Sequence, residues 1–224
     1  MDTNHPITED DIANYLANTP DFFERHAELL ATVHLTSPHN GRSVSLQERQ
    51  ADMLREKIKA LEHKAADMIR HGHDNVAIAD KMQRWIRNIL LTRDAQDLPY
   101  TITAELQSQF LVPQVAIKAW GVAEAYAGHE FAQGASADVR SFASSLTLPF
   151  CGPNSGFEAA GWLEDADTAA SLALIALRAG ADPQAFGLLV LASPDPQRFH
   201  AGMGTDFLER IGELAGAALS RLRG

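Results

Sequence analysis

The amino-acid sequence predicts an α+β protein in two parts: an N-terminal helical, coiled-coil-like arm and a C-terminal domain of strands flanked by helices. Three observations lead there. Apolar residues recur at heptad spacing from Val44 onward. Four apolar strand candidates follow it in the second half of the chain. Segments with a helical apolar stripe border that run of strands, an order that marks an α+β domain with its helices gathered on one side.

Composition narrows the function. Of 224 residues, 46% are apolar, ample for a packed core, and the formal net charge is −10. Residues 93–224 carry 8 Lys/Arg against 15 Asp/Glu, with Lys118 the single lysine. So acidic a domain repels phosphate backbones, which disfavours nucleic acid as a partner. Residues 42–70 hold seven Lys/Arg against five acids, a small surplus that reads as the solvated face of a coiled coil. One cysteine, Cys151, excludes an intrachain disulfide and fits a reducing compartment. The opening MDTNHPITEDD is acidic and has no apolar run, unlike a secretory signal. No stretch reaches the ~18 apolar residues of a membrane span. The expectation is a soluble, cytoplasmic protein with no membrane partner and no cofactor.

Element by element, residues 1–43 read as short helices and a turn. Thr8 is placed to cap a helix whose first turn holds Glu9, Asp10 and Asp11, where the helix dipole favours anions. Thr19–Pro20 is a second start signal. Ile12, Tyr15, Leu16, Phe22, Phe23, Leu29 and Leu30 supply apolar faces that need a partner surface, and TSPHNGRS (36–43) reads as a turn. Residues 44–73 read as a long helix, with Ser45 and Glu48 at capping-box spacing. Heptad position a falls on Val44, Ala51, Ile58, Ala65, Gly72, Ala79 and Ile86; position d on Gln47, Leu54, Leu61, Met68, Asn75, Met82 and Ile89. Ala51, Leu54, Ile58, Leu61, Ala65 and Met68 form the expected dimer seam. Lys57 at g and Glu62 at e would meet across a parallel pair. Gly72 and Asn75 interrupt the seam, and a glycine costs a helix ~1 kcal/mol against alanine, so a kink or break, or a local loosening of the seam, is expected there.

Residues 74–224 form the second part. Helices are expected over about 75–91, 97–109 and 204–222. The strand candidates are VPQVAIKAW (112–120), SLTLPF (145–150), SLALIAL (171–177) and AFGLLVLAS (185–193). The last is apolar almost throughout, as a strand buried on both faces should be.

Two stretches resemble known families. SLALIALRAGADPQAFGLLVLASPDPQRFHAGMGTDFLERIGELAGAALSRL resembles the closing half of a GAF domain. The N-terminal run is more specific: Pro20, Asp21, Phe22 and Phe23, then Pro38, His39 and Gly41, then Ser45, Leu46, Glu48, Arg49 and Gln50. With Phe186, Gly187, Ser193, Asp195, Arg198, Phe199, Met203, Gly204 and Thr205 near the other end, the chain is similar to the bacterial family known as domain of unknown function 484. It departs from that pattern at Ala192, and 121–170 match only loosely. The resemblance implies a helical arm joined to a GAF-like antiparallel sheet, pairing through end helices, and a small-ligand pocket beside the sheet. It implies no activity.

No constellation in the sequence demands catalysis. His71 and His73 flank Gly72, but residues two apart on a helix do not share a face, and a metal site needs three or four convergent ligands, so none is expected. His39 reads as a turn residue. Cys151 has no Lys or Arg within several positions to stabilise a thiolate. Glu164, Asp165 and Asp167 in WLEDAD read as a solvated loop, Thr205 and Asp206 as a helix cap, and Arg198 as an anchor onto Asp195. If a small molecule binds, Trp120, Phe142, Phe150, Cys151, Phe157 and Trp162 are the candidate ligand contacts. The expected function is a non-catalytic, homodimeric regulatory or sensor module with an unidentified small-molecule or protein partner. The rival is a protein–protein adaptor that docks through Phe22, Phe23, Leu29 and Leu30.

Overall fold

The computed structural model of the chain describes residues 7–32, 34–36 and 43–223, without the side chains of 30, 31, 34–36 and 43–47. The turn expected within TSPHNGRS, His39 included, lies outside the described residues, as do the side chains of Leu30, Val44, Ser45 and Gln47. The chain divides into two units, residues 1–74 and 75–224.

In the first unit, Thr8 starts α1 (Glu9–Asn18) through a capping box. Its Oγ1 accepts from the Asp11 amide at 3.2 Å, and Asp11 Oδ2 accepts from the Thr8 amide at 2.9 Å. Two short helices follow, α2 (Asp21–Arg25) and α3 (Ala27–Thr32). Then β1 (His34–Thr36) and β2 (Ser43–Ser45) pair antiparallel, Leu35 opposite Val44, a hairpin absent from the sequence reading because each strand is only three residues long. The helix α4 (Leu46–Leu91) is continuous through Gly72. The break expected between 72 and 75 does not occur, and the helix expected from about 75 is the end of α4. One glycine's ~1 kcal/mol is a small term against the propagation of a long helix on either side.

The second unit adds α5 (Leu98–Phe110), β3 (Gln114–Ala119), α6 (Ala137–Ser145), β4 (Phe150–Pro153), β5 (Ser171–Arg178), β6 (Ala185–Ser193) and α7 (Asp206–Leu219). The sheet has the order β3-β6-β5-β4, and every neighbouring pair is antiparallel. Met82, Trp85 and Ile89 of α4, Leu98, Ile102 and Leu106 of α5, and Ile211, Ala215 and Leu219 of α7 pack on one face. Trp85 is fully buried and its indole N–H donates to the Ile102 carbonyl at 3.4 Å. The other face is covered by Val139 and Ala143 of α6 and by Ala159 and Ala160 in a short helical turn. Helices therefore flank both faces, not the one side expected from the order of elements. The strand expected over 145–150 is also displaced: Ser145 ends α6 and only Phe150 belongs to β4.

Side-chain direction follows the period of the strands, with one interruption. On β5, Leu172 and Leu174 face α6 while Ala173, Ile175 and Leu177 face α7. Leu177 pairs with Gly187 and Arg178 with Ala185, which leaves Phe186 as an extra residue on β6. A bulge reverses the facing of the residues beyond it, so Ala185 joins the α6 face and Phe186 the α7 face.

The loop after β6 is held by polar groups. The buried Ser171 hydroxyl donates to the Asp195 carbonyl at 2.7 Å, and Ser193 Oγ accepts from the Asp195 amide at 3.1 Å. The Arg198 guanidinium donates to the Phe110 carbonyl at 2.9 Å, so its side chain anchors this loop to α5 and not to the Asp195 carboxylate. Thr205 precedes α7, but its hydroxyl donates to Glu209 Oε1 at 2.6 Å instead of accepting from the helix amides.

At the end of α5, Leu111 has φ 54°, in the left-handed region, and is 68% exposed. A leucine there carries a steric cost of ~1–2 kcal/mol that no burial offsets. Replacing Leu111 with glycine is expected to raise stability by about 1 kcal/mol, read by chemical denaturation, and a destabilised variant would contradict this.

Candidate functional site

The aromatic candidates gather on the α6 face of the sheet. β4 directs Phe150 to that face, α6 supplies Phe142, and the segment between β4 and β5 supplies Phe157 and Trp162. Phe157 lies between the other two phenylalanines, with ring centroids 5.0 Å from Phe150 and 5.8 Å from Phe142. Trp120, just past β3, donates its indole N–H to the Ala185 carbonyl at 2.8 Å, and the Arg140 guanidinium lies 5.8 Å from its ring. All five rings are partly buried against this core.

A hollow of about 170 Å³ opens beside Phe142 and Phe157, lined also by Val139, Leu174, Asp138 and Glu158. Glu158 is engaged there, accepting from the Ser136 hydroxyl at 2.6 Å, while Ser136 Oγ caps α6 by accepting from the Val139 amide. Ligand pockets run to about 300–1,000 Å³, so this hollow suits a small apolar group and not a large molecule. Phe142 and Phe157 line it; Trp120 and Trp162 do not.

Cys151 does not join this group. It neighbours Phe150 on a strand and so points to the opposite face, into the core beneath α7. Burial pushes its thiol above the usual range because the thiolate would lose its water. The folded state therefore favours the protonated form, which is nucleophilically weak. Labelling by a thiol reagent at pH 8 is expected to be slow in the native protein and fast in denaturant. Equal rates in both would contradict the burial.

Two cations near the α6 face, Lys118 and Arg178, lie outside the candidate contacts expected from the sequence. Lys118 of β3 has a side chain only 13% exposed, and its ammonium donates to the Glu130 carbonyl at 2.7 Å. Its parity with Ala116 places it on the same face. Its being the single lysine among 132 residues was the available signal. Arg178 serves a structural end, donating to the Ala143, Ser144 and Leu146 carbonyls at the end of α6.

In the first unit, no described residue is buried, and Met82 is the first buried residue among those described in the chain. Of the seam, Leu54, Ile58, Leu61 and Met68 are 55–73% exposed, Ala65 is exposed and Ala51 half-exposed. The later heptad residues Met82 and Ile89 are consumed by the core of the second unit. Among the described residues no group of three or more His, Cys, Asp and Glu is placed to hold a metal ion, and no helix is long and apolar enough to cross a membrane.

The chain is similar, at 15% identity and a TM-score of 0.44, to the crystal structure of the GAF domain of a protein described as a sensor histidine kinase from Pseudomonas syringae pv. tomato, over 68% of this chain and 91% of that one. No curated protein matches it. The family described as "Protein of unknown function, DUF484" matches residues 2–223, the arm and the sheet domain together, and the chain belongs to that family.

Proposed function

We propose that the protein is a non-catalytic, cytoplasmic regulatory module that acts as a homodimer, with the arm as its pairing element and the GAF-like domain as its sensing element. The observation that carries this reading is the exposure of the arm's apolar seam, where Leu54, Ile58, Leu61 and Met68 are each more than half exposed. A chain does not hold Leu54, Ile58, Leu61 and Met68 in water at heptad spacing when pairing would bury them. Each such side chain contributes ~1.5–3 kcal/mol on full burial, enough over two copies of the seam to exceed an association cost of ~4–15 kcal/mol. A small ligand in the aromatic hollow, or a protein partner, would then shift the module between two states by binding one of them better.

Cysteine cross-linking tests the pairing and its register. In a Cys151→Ser background, Ala51→Cys and Ala65→Cys occupy position a, while His63→Cys occupies the outward position f. Parallel, in-register pairing predicts disulfide dimers at 51 and 65 and none at 63. Cross-links at 63 alone, or none at all, would contradict it.

A second reading has its own support. Tyr15, Phe22, Phe23 and His26 form an aromatic cluster with centroids 4.6–6.0 Å apart, and Ile12, Phe23 and Leu29 around it stay exposed. An adaptor would use this surface to dock a protein. Deletion of residues 1–32 separates the two, since it removes the adaptor surface and leaves the seam.

A further inference from the structure

We infer that the free edge of β5 beside α7 is a docking station for a short extended peptide segment that carries basic side chains. The edge arises because β4 is too short. It pairs with Ser171–Leu174 only, whereas β5 runs on to Arg178. The Asn154 amide donates to the Ala170 carbonyl, and the Trp120 amide to the Phe186 carbonyl. Carried along the registers, these two bonds turn the main-chain groups of Leu172, Leu174 and Ala176 away from β6, toward the β4 side. At Ala176 there is no strand on that side, and no hydrogen bond to its N–H or C=O from that direction is formed among the described residues.

What lies there instead is a cleft of about 450 Å³, within the range of ligand sites. The chain entering β4, Leu146–Pro149, diverges from β5 and forms one wall, with Leu148 exposed. Gly212 of α7 lies close to β5 here: a β-carbon at 212 would stand 2.6 Å from Ile175 Cγ2 and 3.6 Å from the Ala176 carbonyl oxygen. Farther along β5, Arg178 and Gly180 also line the cleft, and Gly216 lies against the Arg178 main chain.

The chemistry of the walls selects the occupant. A donor and an acceptor on one residue match the main chain of an added strand, the pairing by which exposed sheet edges take up peptides. Ile175 and Ala217 give an apolar floor. Glu209 and Glu213, four residues apart on α7, line the cleft, and among the described residues neither forms an ion pair. Arg178 also lines it, but its guanidinium is held by the Pro183 carbonyl and the three carbonyls that end α6. One net negative charge remains, in a domain that is itself acidic, so a basic segment is favoured over an acidic one.

The test uses the full chain and fluorescein-labelled Val-Lys-Val-Lys-Val amide in an anisotropy titration, with the Glu-for-Lys peptide as comparison. Saturable binding of the basic peptide is expected, with little for the acidic one. Ala176→Pro removes the outward N–H without touching the bonds to β6 and is tolerated on an edge. It should weaken binding about tenfold, as should the Glu209→Gln/Glu213→Gln pair. Amide hydrogen exchange on the unmodified chain gives a readout independent of any variant: the Ala176 N–H should exchange more slowly when the basic peptide is present. Absence of binding, binding unaffected by either variant, an unprotected Ala176 amide, or lysine amide alone binding as tightly as the peptide would each overturn the inference.

Discussion

Lysine at both Leu61 and Met68 is expected to leave the protein monomeric while its sheet domain stays folded. Both positions are d sites of the seam, 64% and 73% exposed, and neither contributes to either core of the second unit. Truncating the apolar contribution of a d residue removes ~1.5–3 kcal/mol, and each dimer carries every site twice. A charge in the seam adds the cost of desolvating it. Dimer affinity should therefore fall by a factor of about a thousand or more, while the thermal transition of the sheet domain moves little. Sedimentation and thermal unfolding, measured on the same samples, separate the two effects. A double variant that remains dimeric would locate the pairing surface elsewhere.

The second large effect concerns the packing of α7 on β5. A β-carbon at Gly216 would lie 2.5 Å from the Arg178 carbonyl oxygen and 3.1 Å from its nitrogen. Both are main-chain atoms of a strand hydrogen-bonded to β6, so they cannot rotate aside. The helix would have to retreat and loosen Ile211, Ala215 and Leu219 from the core. Alanine gains ~1 kcal/mol of helix propensity over glycine, but overpacking costs ~1–3 kcal/mol or more, and here the obstacle is backbone. Gly216→Ala is expected to lose about 2 kcal/mol net. Gly72→Ala supplies the opposite sign: nothing lies within 4 Å of its β-carbon position, so the propensity gain stands alone. Urea denaturation of the two variants should move the midpoints in opposite directions, and an unchanged or stabilised Gly216→Ala would refute the close approach.

Gly212 and Gly216 stand four apart on α7, and the close approach of Gly216 to the Arg178 main chain is a tertiary contact absent from the sequence analysis above. Strand β6 was legible to its ends because AFGLLVLAS is apolar almost throughout, whereas the bulge at Phe186 depends on the partner strand and leaves no local trace. Helix α6 escaped because its nine residues bury only Val139 and Ala143, too few for a clear period. Cys151 and Phe150 adjoin on one strand, so their side chains point to opposite faces, a constraint already present in the sequence. The continuity of α4 through Gly72 is not legible locally, because the propensity of one glycine says nothing of the 46-residue helix around it.

The exposed apolar seam of the arm is proposed to pair two copies. Sedimentation velocity on the full chain at about ten micromolar tests it most directly. The seam predicts one species of twice the chain mass, converted to a single-chain species by the Leu61→Lys/Met68→Lys change. A monomer at that concentration with the arm intact would contradict the claim.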